Sequence, residues 1–389
     1  MFDYLLLLVF TLVQYRLSIL WMRAARRRWT GALVSLCSAA LVSFDLLVAY
    51  GYLCSWSQYS GHLGISPSLT APLGAAALAY LLIATCLLAI HELKKAAARH
   101  FDAGTNTARR RAIQTTASVL TAAPFAVLGY GTLIERDDFR VREIDLPVTG
   151  LARDLEGLRV LHLSDIHLSA FLSEAELERA IDATAGLHPH LAVITGDLIS
   201  SRGDPLDACI RQLARVKADA GVYGCLGNHE RYAQVEDHTT SACARAGIRM
   251  LRTESCRLTF GNSVLNLAGV DYERMFHTAA SKAEYLRGAE RLVAPGVCNV
   301  LLSHNSDVFP VAAWQGYNLM LSGHTHGGQV TIEILDQSIN AARFLTPYVY
   351  GVYHEGRATA YVTRGIGTIG LPTRLGCPPE ISLLRLRRA

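Results

Sequence analysis

Four apolar stretches, at about residues 4–21, 31–53, 70–91 and 112–134, constrain this chain more than any other feature. Each approaches the roughly 20 residues that a helix needs to cross the hydrocarbon core of a bilayer. In lipid, a spanning segment must satisfy its own backbone amides and carbonyls, so the stretches predict four transmembrane helices filling residues 1–135. The first is short and carries Arg16. The second carries Asp45, which reads as a polar contact between helices in preference to a functional group.

Loop charge sets the orientation. The first connection contains Arg23, Arg26, Arg27 and Arg28, and the third contains Lys94, Lys95, Arg99, Arg109, Arg110 and Arg111. The second, Ser55 to Ser68, has neither Lys nor Arg. Positive loops stay in the cytoplasm, so the N-terminus and everything after about residue 135 are expected outside it, in an integral protein of the inner or plasma membrane. No positive residue precedes the first apolar run, which argues against a cleaved signal peptide. Thr107-Ala-Arg-Arg-Arg-Ala-Ile, ahead of an apolar run with Ala-Pro-Phe-Ala, resembles a twin-arginine export signal, although a stop-transfer charge cluster is the preferred reading.

Composition narrows the classes further. Of 389 residues, 51% are apolar, and the surplus lies in the first third. The net charge is only +4, and many of the basic residues sit between apolar runs, which argues against a nucleic-acid surface. Nine cysteines without a Cys-x-x-Cys pair make neither a disulfide framework nor a zinc–thiolate site, and most are expected as buried thiols.

After Glu135 the chain turns to mixed charge (Arg136, Asp137, Asp138, Arg140, Arg142, Glu143, Asp145), so 136–155 reads as a linker or edge strand. From 156 to 389, short apolar runs alternate with helix-like segments, the pattern of an α/β domain. Ser173 with Glu176 makes a helix capping box, and Asp204 to Lys217 is helix-like. Strands are expected at 158–164, 191–195, 222–226, 264–270, 299–303, 317–322, 360–363 and 381–386.

Five of these strands end in polar loops, and the C-terminal ends of strands are where α/β folds build their sites. The loops carry Asp165 and His167, Asp197, Asn228 and His229, His304, and His324 and His326. The His324-Thr325-His326 pair lies between glycines, and on extended backbone its two imidazoles share a phase. Carboxylate, amide oxygen and imidazole together suit Mn, Fe or Zn rather than Ca. Setting His229 aside, seven such ligands exceed one tetrahedral site and fit two divalent ions sharing a carboxylate. Two metals about 3.5–4 Å apart can clamp a phosphoryl group and generate hydroxide at neutral pH, which is the chemistry of phosphoester hydrolysis.

Asp-x-His, Gly-Asp, Gly-Asn-His-Glu, a single His and Gly-His-Thr-His, in this order, resemble the calcineurin-like metallophosphoesterases. Ser322-Gly-His-Thr-His-Gly-Gly-Gln and the tail from Arg364-Gly-Ile-Gly-Thr to Pro378-Pro379-Glu380-Ile381 resemble their YkuE/YaeI-type phosphodiesterase branch. The resemblance covers about residues 156–389 and implies a four-layer αββα sandwich with metals at its loop edge. It implies one ion on Asp165, His167, His326 and the bridging Asp197, and a second on Asp197, Asn228, His304 and His324. The nucleophile would be a metal-bridging hydroxide. His229 would sit beside the phosphate, stabilising the transition state or protonating the leaving oxygen, with Glu230 orienting it. Gly327 and Gly328 would leave room for the phosphate, and Arg364 is a candidate phosphate contact, with a structural turn role as its alternative.

Two departures from the family pattern stand out. Ser200 occupies the place of the later acidic residue in Gly-Asp-x-x-Asp, and His304-Asn305-Ser306-Asp307 replaces His-x-Pro-Asp. His62, His91, His100, His162, His188, His190, His238, His277 and His354 match no motif and are expected on the surface or in packing.

The expectation is therefore a membrane-anchored phosphodiesterase or phosphomonoesterase, with a lipid-linked or cell-envelope phosphoester as its substrate class. One alternative is a pyrophosphatase of the UDP-2,3-diacylglucosamine type in lipid A synthesis, which needs a cytoplasmic catalytic face. Another is an inactive membrane sensor or scaffold, which the complete ligand set argues against.

Overall fold

The computed structural model describes residues 2–54, 67–100, 107–272, 284–334 and 337–389. The chain divides into two compact units, one including Leu69–Tyr130 and the other Gly131–Ala389.

Among its described residues the first unit is built from helices: α1 (Phe2–Arg28), α2 (Ala32–Cys54), α3 (Pro67–His100) and α4 (Thr107–Leu133). These helices supply four segments long and apolar enough to cross a membrane, at Leu7–Arg28, Ala32–Leu53, Thr70–Ala96 and Ser118–Asp137. Apolar side chains such as Leu36, Leu46 and Val119 are exposed on them, an arrangement suited to a lipid solvent rather than water. Phe10, Val48, Tyr52 and Leu81 form an apolar cluster between helices, and other contacts are small or polar. Gly51 of α2 lies so close to Ala77 of α3 that a Cβ there would stand 2.7 Å from the Ala77 Cβ. Asp45 of α2 accepts from Gln14 Nε2 at 2.6 Å and from Ser18 Oγ at 3.1 Å, both on α1, and Tyr80 of α3 donates to Gln14 Oε1 at 2.9 Å. Asp45 is thus a polar contact between helices. Residues 55–66 of the second loop, with His62, lie outside the described residues, as do His277 and the side chains of Arg109 and Arg110.

The second unit is built on two six-stranded sheets. The first runs in the order β1-β14-β2-β3-β4-β5, from β1 (Arg140–Val148), β14 (Glu380–Arg388), β2 (Arg159–Leu163), β3 (Leu191–Thr195), β4 (Val222–Cys225) and β5 (Ile248–Met250). The second runs β12-β13-β9-β8-β7-β6, from β12 (Gly351–Glu355), β13 (Ala358–Val362), β9 (Leu319–Ser322), β8 (Cys298–Leu302), β7 (Ser263–Gly269) and β6 (Glu254–Phe260). A separate hairpin joins β10 (Thr331–Ile334) to β11 (Gln337–Asn340). Strands β2 to β5 are mutually parallel, as are β7, β8, β9 and β13. Residues 140–148 make the outer strand of the first sheet, paired in parallel with the C-terminal β14.

Both sheets are covered on both faces, which is why their parallel strands read as unbroken apolar runs rather than alternating ones. Val160, Val193, Leu267, Val300, Leu321 and Leu384 fill the layer between the sheets. The outer face of the first sheet packs Leu161, Ala192 and Ile194 against α5 (Glu174–Asp182), α6 (Leu206–Leu213) and α8 (Glu236–Arg245) through Leu177, Ile181, Leu213 and Cys243. The outer face of the second packs Leu301, Met320 and Ala360 against α9 (Phe309–Gln315) through Phe309 and Ala312. Helix, sheet, sheet and helix make the expected four layers, and each fully buried Leu, Ile or Val contributes about 1.5–3 kcal/mol. The capping box forms as read: Ser173 Oγ accepts from the Glu176 amide at 3.3 Å while Glu176 Oε2 accepts from the Ser173 amide at 2.6 Å. The described cysteines are all free thiols, and Cys209, Cys225, Cys243, Cys298 and Cys377 are buried.

Candidate metal centre

The parallel strands of both sheets end at one common edge. From the first sheet, Asp165 and His167 follow β2, Asp197 follows β3, and Asn228 and His229 open the short helix α7 (Asn228–Ala233) after β4. From the second, His304 follows β8, and His324 and His326 follow β9. The expectation of extended backbone at the His-x-His pair is corrected: His324 and His326 are left-handed, with φ of 75° and 53°. Asp165, His167 and Asp197 share that conformation, at 51°, 50° and 56°. Non-glycine residues enter this region at a steric cost, and such strain persists where the surrounding fold over-determines it, commonly at functional sites. Here it turns each side chain off its strand towards the shared edge.

The side chains meet in groups that could hold metal: Asp165, His167 and His326; Asp197, His304 and His324; and His167, Asp197 and His229. His167 Nε2 lies 3.1 Å from His326 Nε2 and 3.4 Å from Asp197 Oδ2. His326 Nε2 lies 3.4 Å from Asp165 Oδ1. On the other side, His304 Nε2 stands 3.0 Å from Asp197 Oδ2 and 3.2 Å from His324 Nδ1. Atoms bound about 2.1 Å from one ion sit roughly 3–3.5 Å from each other, so these separations would suit ligands sharing an ion. Asp197 stands between the two groups.

Three further observations fit a metal. Asn228 Oδ1 is buried and has no hydrogen-bond partner, the state of an oxygen whose partner is an ion. The outward ring nitrogens are held in place: His304 Nδ1 donates to the Thr195 carbonyl at 2.6 Å, and His167 Nδ1 pairs with Ser200 Oγ at 3.0 Å. Such second contacts fix the ring and point the other nitrogen inward. Burial pushes the His324 pKa down to about 3 and lowers that of His326, so both are neutral imidazoles. Burial also disfavours charge on His304, but the Asp197 and Asp165 carboxylates outweigh it and push that pKa up to about 9.

His229 is buried beside this cluster, its Nε2 4.0 Å from Asp197 Oδ2. Its Nδ1 donates to the Ser200 carbonyl at 2.5 Å. The expected pairing of His229 with Glu230 is therefore corrected. The Glu230 carboxylate accepts from the amides of Gly227 (2.7 Å), Asp197 (3.0 Å) and Leu198 (2.7 Å), tying the β3 and β4 loops together. Placed in the first turn of α7, Glu230 points at the start of its own helix and caps it, while His229 points away. The same two loops approach so closely that a Cβ on Gly227 would collide with the Asp197 carboxylate.

Gly327 and Gly328 also take a different part from the one expected. Their missing Cβ atoms make room for Cys377 and for the Asn340 amide, not for a ligand. Arg364 stacks over the Tyr350 ring, 4.4 Å from its centroid, with Nε 3.7 Å from Glu380 Oε2, and its stem lies against Gly327. His162, as expected, is a packing residue, buried with Nε2 2.8 Å from Thr195 Oγ1.

Sequence reasoning missed Arg374. It is fully buried, and its guanidinium donates to the carbonyls of His326 (3.2 Å), Cys377 (3.2 Å), Gly365 (3.1 Å) and Gly367 (2.5 Å). The Gly367 carbonyl also lies 3.4 Å from His326 Nδ1, so Arg374 fixes His326 by backbone and by ring. An arginine among the glycines and prolines of a tail gives no local signal. Tyr232 and Tyr272 were missed likewise; their rings stand 5.6 Å from that of His229 and 6.0 Å from that of His324.

Two sheets that converge on paired carboxylate–imidazole groups define a metallophosphoesterase domain. Residues 158–328 match the family model described as calcineurin-like phosphoesterase, and this chain carries a domain of that family. Among curated proteins it is similar to the transmembrane protein with metallophosphoesterase domain of Danio rerio, 29% identical over 71% of this chain and 63% of that protein. The corresponding Bos taurus protein is 27% identical over 72% of this chain and 64% of its own length. Phosphodiesterase YaeI of Escherichia coli (strain K12) is 28% identical over 72% of this chain and 98% of its own. The chain thus spans a little under two thirds of the length of the first two relatives. The family implies divalent metal ions and a phosphoester substrate.

Proposed function

We propose that this protein is a membrane-anchored phosphoesterase that hydrolyses phosphodiester bonds, or phosphomonoesters, with two divalent ions of Mn, Fe or Zn. Asp165, His167, His326 and Asp197 would hold one ion, and Asp197, Asn228, His304 and His324 the other. The observation that carries the reading is the placement of the Asp197 carboxylate between two histidine groups, 3.4 Å from His167 and 3.0 Å from His304. A metal pair held there would supply Lewis acidity and lower the pKa of water towards neutral.

The chain's own groups do the rest. Burial pushes the His229 pKa down to about 4, so the free site holds a neutral ring. Because the Ser200 carbonyl can only accept, Nδ1 carries the proton and Nε2 faces the site. An arriving phosphate anion opposes the effect of burial and favours the imidazolium, from which Nε2 donates to the leaving oxygen. Glu230 acts through the backbone, holding the Asp197 and Asn228 loops in register. Arg364, with its stem on the metal loop, balances the charge of the bound phosphate.

The arginines of α1 and the charge-free second loop support a catalytic domain outside the cytoplasm, and the four helices support a lipid or cell-envelope phosphoester as the substrate. Metal analysis of the full-length protein, with a panel of phosphodiesters and phosphomonoesters, tests the activity. Two ions per chain and hydrolysis that His229→Ala slows by about 10²–10⁴-fold without metal loss are expected; a protein that binds no Mn, Fe or Zn overturns it. A C-terminal reporter fusion active only in the cytoplasm would overturn the orientation.

A further inference from the structure

Residues 329–334 and 337–345 lie beside the metal loop and take no part in the chemistry above. They comprise β10, β11 and a 3-10 turn at Ala341–Phe344, and at their end Phe344 and Leu345 are 79% and 64% exposed. Single apolar side chains on a surface need no explanation. These two are consecutive, follow Arg343, and stand on a segment bonded to the metal loop. Asn340 Nδ2 donates to the Gly327 carbonyl at 2.5 Å, and its Oδ1 accepts from the Ala342 amide at 2.8 Å. One buried side chain thus joins the residue after His326 to the turn that ends at Phe344.

The other flank of this segment leads to the end of α4. The Thr331 amide donates to the Leu375 carbonyl at 2.8 Å, and the Leu375 amide to that of Gln329 at 2.9 Å. The adjacent Arg374 amide donates to the Gly131 carbonyl at 3.1 Å, and the Thr132 and Thr373 hydroxyls are 2.9 Å apart. Gly131 and Thr132 belong both to this unit and to the apolar span Ser118–Asp137, whose Leu133 and Ile134 are 78% and 58% exposed. One hydrogen-bonded strip therefore runs from the end of a membrane span, through the loop that secures His326, to an exposed Phe-Leu tip.

We propose that this strip, with Phe344 and Leu345 at its tip, seats in the interfacial layer of the bilayer that α4 enters. The occupant is lipid because the strip is joined by hydrogen bonds to an apolar span. An aromatic and an aliphatic side chain beside an arginine are also what the water–lipid boundary selects. Seated there, the loop of His324 and His326 is presented to phosphoesters in the plane of the headgroups. The docking stands without catalysis; only this consequence rests on the lipid-substrate reading.

The test uses the full-length protein in phosphatidylcholine nanodiscs, with Trp21, Trp29, Trp56 and Trp314 replaced by Phe and Phe344→Trp introduced. Acyl-brominated lipid should quench the introduced indole, and its emission should be blue-shifted. A version keeping only Trp314, 85% exposed on α9, should lose no emission. Quenching at position 344 no greater than that of Trp314 overturns the proposal. Leu345→Trp in the same background repeats the measurement should the first variant misfold. Fluorescence reads the docking and hydrolysis reads the substrate: quenching without hydrolysis of a lipid phosphodiester refutes only the substrate, and hydrolysis without quenching refutes only the docking.

Discussion

The Asp197 carboxylate stands 3.0 Å from Nε2 of His304, although the two residues come from different sheets. With His167 3.4 Å away on its other side, Asp197 stands in a candidate metal group with each of the two histidines. Asp197→Ala should therefore remove both ions, lowering metal content from two per chain towards none and abolishing hydrolysis. Loss of a single ion, read by elemental analysis, would show that Asp197 does not bridge.

His229→Ala should behave oppositely. A group that only transfers a proton is worth about 10²–10⁴-fold in rate, so kcat should fall within that range while metal content stays at two. Equal losses of metal and rate would make His229 a ligand.

Ser200 touches both histidines, through its hydroxyl to His167 and its carbonyl to His229. Ser200→Ala deletes only the first contact. Loss of such a second contact typically costs 10–100-fold in metal affinity, so the apparent dissociation constant of the metal should rise by roughly that factor. The pH profile of kcat, which follows His229, should not move.

Arg374→Leu removes a buried cation from four carbonyls, of which those of His326, Gly365 and Gly367 keep another partner each, from Gln329, Glu380 and His326. Hydrogen bonds to charged groups contribute about 1.5–3 kcal/mol each, so a stability loss on the order of 3 kcal/mol or more is expected in thermal melts. Arg374→Lys, which cannot reproduce the planar fork, should recover only part of it.

Acid should destabilise the metal-free protein. Burial pushes the pKa values of His162 and His324 down to about 3 and that of His229 to about 4, below the ordinary value near 6.5. A base with a depressed folded pKa stabilises above its unfolded pKa and loses that contribution as the pH falls. His304, raised to about 9, acts in the opposite sense: its contribution is complete below about 6.5 and disappears as pH rises through 9. With EDTA present, the melting temperature should fall as pH drops from 6.5 towards 4, because the unfolded chain takes up protons on His162, His229, His324 and His326 that the folded one refuses. A flat profile over that interval would contradict the buried, neutral state of these rings.

Much of this protein was legible in its sequence because the relevant signals are local. A run of about twenty apolar residues marks a span whatever surrounds it, and an apolar strand ending in Asp-x-His, Gly-Asp or His-x-His marks a loop at a sheet edge. The candidate ligand residues and their order are properties of short stretches, as is the capping box at Ser173. What tertiary structure decided is which atoms meet. His167 and His326 are 159 positions apart, and only the convergence of two sheets at one edge brings their Nε2 atoms to 3.1 Å. The left-handed backbone at the candidate ligands, the backbone task of Glu230, the Ser200 carbonyl on His229 and the glycines that admit Cys377 and Asn340 all depend on neighbours distant in the chain. Arg374 was invisible for the same reason: its value lies in four carbonyls that the fold gathers around it, and no pattern along the chain announces a carbonyl.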